Sequence, residues 1–145
     1  MPAPPTARPG GAATRSSGPS GARAEAGLGD RRLGDLPTRD ALALLIRHVA
    51  EVVVDTTFSR CIPALIEGAE RDPRVREFHH RDSAERRQAL IDLIALGIER
   101  GEVAAEVDPD LATVALLGTV FYRRLMTGTP FDPADATELV SLVLG

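Results

Sequence analysis

At 145 residues the chain is long enough for one folded domain and a tail. It carries 17 arginines and no lysine against 21 acids, a formal net charge of −4 that divides into +3 over residues 1–34 and −7 over residues 35–145. An acidic body excludes that body as a grip on a phosphate backbone, and a lone Cys61 excludes an intrachain disulfide. Arg47, His48 and Glu51 interrupt the longest apolar candidate well short of the ~18 residues a membrane span needs. No signal-type apolar run opens the chain, so a soluble cytoplasmic protein is expected. The excess of Arg, Ala, Gly and Pro reads as the imprint of GC-rich coding rather than of chemistry.

Residues 1–36 are rich in Pro, Gly, Ala, Ser and Arg, and between Met1 and Leu36 the only large apolar residues are Leu28 and Leu33. So little apolar surface does not offset chain entropy, and a disordered tail is expected. Its arginines have no aromatic neighbour and no periodic face, which makes them solvated charges rather than a nucleic-acid or lipid contact.

Residues 37–145 read as helices throughout. The first runs from about Thr38 to Val54, with Asp40 in its first turn and a stripe of Leu42, Leu45/Ile46, Val49 and Val52/Val53. The second, about Thr57 to Arg71, presents Phe58, Ile62, Leu65/Ile66 and Ala69. Pro63 inside it predicts a kink or break, and Cys61 is read as a small core residue. Three Asp-Pro pairs, 72–73, 108–109 and 132–133, each supply a side-chain cap and a proline suited to the first helical position. They open a third helix from Pro73 to about Arg100, expected to loosen near His80–Ser83, then a fourth from Pro109 to Met126 and a last from Pro133 to Leu144. Leu90, Leu93/Ile94 and Gly97/Ile98 form the buried face of the third, Gly101 ends it and Gly128 ends the fourth; Ala136, Leu139/Val140 and Val143 line one side of the last. The fold class is all-α, about five helices in a bundle.

The fourth helix is apolar almost all round: from Leu111 to Tyr122 only Thr113 and Thr119 are polar. A helix of that kind is covered on more than one side, either as the centre of a monomeric bundle or between its own core and a symmetry mate. The apolar VSLVL ending of the last helix offers a second strip, and two such helices from each of two subunits would make a four-helix isologous interface. A homodimer is therefore expected.

The stretches LIEGAERDPRVREF (65–78) and RRQALIDLIALGIERGEVAAEVDPDLATVALLGTVFYRRLMTGTPFD (86–132) resemble the C-terminal domain of TetR/AcrR-family transcriptional regulators. The shared pattern is an apolar helix ending in Glu-Arg-Gly-Glu, Asp-Pro-Asp-Leu opening the next helix, and a Leu-Leu-Gly, Tyr-Arg-Arg-Leu and Thr-Gly-x-Pro-Phe-Asp close. The resemblance covers about Leu36 to the end, and it implies a helical domain that binds a small effector between its helices and dimerises through its last two long helices. Members of the family also carry an N-terminal three-helix DNA-binding head of about fifty residues containing a helix-turn-helix. Residues 1–36 do not match it, so operator binding by this mechanism would need a head supplied by a complete protein. Two readings stay open, a fragment or mis-started, out-of-frame product and a natural stand-alone module; the abrupt change of composition before Leu36 favours the first.

For the effector pocket the candidates are Phe58, Ile62, Leu65, Phe78, Leu93 and Tyr122, and with few aromatics a modest apolar ligand, or none, is expected. For the dimer interface they are Leu116, Leu117, Val120, Phe121, Leu125, Leu139, Val140 and Val143. The alternative is a metal- or cofactor-binding helical-bundle enzyme, on the strength of Glu77 and His80, a Glu-x-x-His spacing that sets a carboxylate and an imidazole on one helical face. Di-iron bundles need a second copy and two further glutamates, which are not evident. Ser59, Cys61 and the histidines form no triad-like arrangement and no Gly-rich phosphate loop is present. No enzyme, no cofactor and no catalytic or metal-binding residue is expected.

Overall fold

Leu42, Ile46 and Val53 recur at helical spacing, and the helix that carries them is the one onto which all the others pack. The computed structural model describes residues 1–3, 5, 32–54 and 56–145. The folded unit spans Leu33–Gly145; the expectation of disorder for the tail falls almost wholly outside the described residues. After a 3₁₀ turn at Leu33–Asp35 come α1 (Thr38–Val54), α2 (Thr57–Arg71), α3 (Pro73–Glu99), α4 (Pro109–Tyr122) and α5 (Ala136–Leu144). A π turn at Arg123–Thr127 extends α4, and a 3₁₀ turn at Pro133–Asp135 leads into α5. No strand occurs among the described residues.

The Asp-Pro punctuation works as local chemistry dictates. The Asp72 carboxylate accepts from the Arg74 amide at 2.8 Å, Asp108 from Asp110 and Leu111 at 2.9 and 3.2 Å, and Asp132 from Ala134 at 2.9 Å. Each satisfies amides that the first helical turn leaves free, while the proline has no amide to satisfy. α3 ends at Gly101, whose φ of +73° suits a residue without Cβ. There the Gly101 amide donates to Ile98 O at 3.0 Å and the Glu102 amide to Gly97 O at 2.8 Å, the paired bonds of a Schellman cap.

Three local expectations are corrected. α3 does not loosen near His80–Ser83; Arg86 Nε donates to Asp82 Oδ2 at 2.9 Å and Arg87 Nη1 to Ser83 Oγ at 3.1 Å, bonds one turn apart that brace this segment. α2 runs through Pro63 without a break, since a proline removes one donor while the turns on either side stay bonded. Cys61 is exposed rather than in the core, because α2 buries only the line of Ser59, Ile62 and Ala69, and Cys61 lies to its side.

α1 contacts α2, α3, α4 and α5. Ala41, Leu42, Ile46 and Ala50 are fully enclosed, so α1 is buried on its alanine side as well as along its Leu/Ile/Val stripe. Leu90 and Ile94 from α3, Leu116 and Val120 from α4, and Leu139, Val140 and Leu144 from α5 complete one core cluster, with Val103 and Phe131 contributed by the connections. The first half of α3 buries none of its residues and packs on α2 alongside that core.

The N-terminus of α1 is capped from a distance. Pro37 precedes it and offers no side-chain acceptor; instead Glu102, after α3, accepts the Thr38 amide on Oε2 at 2.7 Å. Hydrogen bonds from the Thr38 backbone and hydroxyl, then the charge of Arg100, hold the Glu102 carboxyl below the usual glutamate range. Beside it Gly97 approaches Thr38 so closely that a Cβ there would lie 2.7 Å from Thr38 Cγ2 and 2.9 Å from Val103 Cγ2. Gly97→Val therefore overpacks two buried, β-branched neighbours and should cost about 1–3 kcal/mol in urea unfolding; an unchanged midpoint would show that the α1–α3 contact relaxes freely. A carboxylate with a lowered folded-state pKa stabilises fully above the ordinary range near ~4.3 and stops doing so as pH falls through the lowered value. Wild type should thus exceed Glu102→Gln in stability at neutral pH, and the gap should close below about pH 4. A gap of equal size at both ends would place the stabilisation elsewhere than in this carboxylate.

Candidate functional site

A cavity of about 340 Å³ lies where the second half of α1, the start of α2, the middle of α3 and the outer half of α4 converge. This is at the small end of ligand-sized pockets, room for roughly ten waters at liquid density. α1 contributes His48, Val49, Val52 and Val53, α2 contributes Phe58, and α4 contributes Val114, Leu117, Gly118 and Phe121. From α3 come Ser83, Arg86, Arg87 and Leu90, residues at intervals of three and four that share one face. Most of this lining is apolar because α1 and α4 turn faces to it that the core does not fully use.

The polar groups converge on the α3 side. Arg86 stacks its guanidinium over the Phe58 ring at 5.1 Å from the centroid and pairs through Nε with Asp82 Oδ2 at 2.9 Å. Arg87 is half-buried; its Nη1 donates to Ser83 Oγ, while its Nε is enclosed without a partner among the described residues. An enclosed donor on a charged group that meets no acceptor costs about 1–3 kcal/mol or more. Among the described residues no acidic side chain lines the cavity.

Of the six pocket candidates from the sequence, Phe58 alone lines this cavity. Ile62 is buried along α2, Leu65 is half-buried there, and Leu93 packs on the core cluster from α3. Phe78 is 54% exposed in the first half of α3. Tyr122 borders a separate shallow groove with Val114, Gly118 and Arg123. The sequence reading did not single out His48 or Arg86 and Arg87, the last two in the largely exposed run EFHHRDSAERR, as pocket residues. The signal for the arginines was present in their spacing: Ser83, Arg86/Arg87 and Leu90 continue the buried line of Leu90, Ile94 and Gly97.

α4 also leaves apolar surface uncovered. Leu111, Val114, Ala115, Gly118, Tyr122 and Met126 follow one another at helical spacing, all exposed, and a Cβ at Gly118 would meet nothing within 4 Å. α5 adds Leu142, at 79% exposure. The eight interface candidates lie beside this stripe rather than on it. Leu116, Val120, Leu139 and Val140 are buried in the chain's own core, Leu117 and Phe121 line the cavity, and Leu125 and Val143 are half-buried.

At the end of the stripe, Arg124 Nε donates to Ser59 Oγ at 3.2 Å, and that hydroxyl donates to Val53 O, joining the π turn to α2 and the end of α1. Glu77 and His80 both sit on an exposed stretch of α3, with the His79 and His80 rings 5.8 Å apart. Among the described residues no group of three or more His, Cys, Asp or Glu side chains stands close enough to hold a metal ion. No described helix is long and apolar enough to cross a membrane.

A family model described as "Tetracyclin repressor-like, C-terminal domain" matches residues 35–143, which is the helical unit from its first turn to the end of α5. A search of curated proteins found no match. With an all-α bundle of matching extent and a family model covering most of its length, the chain belongs to the tetracyclin repressor-like family, as a C-terminal domain of that family.

Proposed function

We propose that this domain binds a small effector in the cavity between α1, α2, α3 and α4 and forms a homodimer through the outer faces of α4 and α5, as the regulatory half of a TetR-like transcription factor. The observation that carries the reading is that α4 serves both regions: Val114 and Gly118 border the cavity and also belong to the open stripe. A ligand that fills the cavity touches the helix that meets the partner. Occupancy can then bias the dimer between arrangements by whatever difference in affinity the ligand has for them. In such a regulator, contact with operator DNA belongs to a helix-turn-helix head, whose spacing the dimer would set.

The dimer contact is assigned to the exposed stripe, with the buried Leu116 and Val120 supporting it from beneath. Gly118 lets a partner helix approach closely, and Leu111, Tyr122 and Leu142 supply large apolar groups whose burial is worth roughly 1.5–3 kcal/mol each. At micromolar concentration the chain should sediment at twice its 15.4 kDa monomer mass. Leu111→Glu and Tyr122→Glu should each weaken the dimer at least tenfold with helix content unchanged, since both positions are exposed in the single chain and, at Leu111, a glutamate in the first turn suits the α4 dipole. A monomer at that concentration, or a dimer indifferent to both substitutions, would overturn the assignment.

A further inference from the structure

The sequence alone suggested an apolar effector, yet the cavity places two guanidinium groups, with Ser83 and His48, beside a mostly apolar lining. Arg86 already has a carboxylate partner in Asp82 and an aromatic face in Phe58. Arg87 differs: it makes no ion pair among the described residues, its only described hydrogen bond is to the neutral Ser83 hydroxyl, and its enclosed Nε meets no acceptor. A guanidinium fork with donors to spare, in a half-buried recess with no acid among its described lining residues, recognises a planar anion better than a neutral or cationic group. Across the cavity Val49, Val52, Leu117 and Phe121 present apolar surface for the rest of the molecule.

We propose that the cavity takes a small amphipathic carboxylate, its head on Arg87 with Arg86 alongside and its apolar body against α1 and α4. This rests on the reading of the cavity as the effector site. The volume of about 340 Å³ limits the body to a short acyl chain or a single ring.

The test uses three ligands that share one alkyl chain and differ only in the head: octanoate, 1-octanol and octylammonium, titrated calorimetrically into the full chain. Octanoate should bind at least tenfold more tightly than octanol, and octylammonium more weakly than octanol. Arg87→Gln should abolish the preference for octanoate over octanol. Val52→Trp, which fills the cavity, should block all three. If octanol and octanoate bind equally and Val52→Trp blocks both, the cavity is an effector site of another chemistry and the carboxylate inference fails alone. If none of the three binds at millimolar concentration, or Val52→Trp changes nothing, the effector reading of the cavity falls with it. The comparison of heads on the unsubstituted chain decides the inference even where Arg87→Gln does not fold.

Discussion

The fold depends on the burial of α1. Ala41, Leu42, Ile46 and Ala50 have no solvent-exposed surface, and four other helices use α1 as their common floor. A helix enclosed on that many sides must also have its free ends satisfied from elsewhere. Its first amide is met by Glu102, 64 residues later in the chain, which explains why the turn after α3 is built as a cap and why Gly97 must remain small. Both ends of the folded unit are also tied down by arginines: Arg39 Nη2 donates to Gly145 O at 2.7 Å, and Arg100 Nη1 to Gly34 O at 2.7 Å.

α4 resolves the problem of a helix with apolar residues on every side by dividing them. Ala112, Leu116 and Val120 face the core, Leu117 and Phe121 face the cavity, and Leu111, Val114 and Tyr122 remain in the open. Within the single chain its third face stays uncovered, and its second face borders the cavity from the same backbone. The π turn after Tyr122 and the Arg124–Ser59 bond tie the end of α4 to α2, beside the Phe58 that borders the cavity. Cavity, Arg124–Ser59 bond and open stripe are therefore consecutive features of one helix rather than separate parts of the surface.

An arginine-only complement of basic residues has different meanings at different positions. Arg71 pairs with Glu67 at 2.8 Å on the exposed face of α2, a contact worth little in water. Arg87, half-enclosed at the cavity, is in a different situation, because a guanidinium cannot give up its proton and must find acceptors or bear their absence. That contrast, more than the count of arginines, gives the cavity its chemical character.

What could be read from the sequence is what local chemistry decides. The bounds of α1 and α2, the Asp72, Asp108 and Asp132 starts and the Gly101 stop all follow from interactions spanning a few residues, and they stand in the structure where the residues dictate. The apolar excess of α4 and the ordered pattern from Glu99 to Asp132 were likewise legible, and they carried the family. Periodicity says which residues share a face, but not which neighbour that face meets. Hence Leu116 and Val120 could be counted as apolar without revealing that they point into the chain's own core, and Phe78 could be counted as aromatic without revealing that it lies in water. Arg86 and Arg87 lie in a polar run in which Arg86 stays exposed while Arg87 is half-buried. Only the packing of α3 across α1, α2 and α4 turned them toward a cavity, because whether a charged side chain is solvated or enclosed depends on residues dozens of positions away.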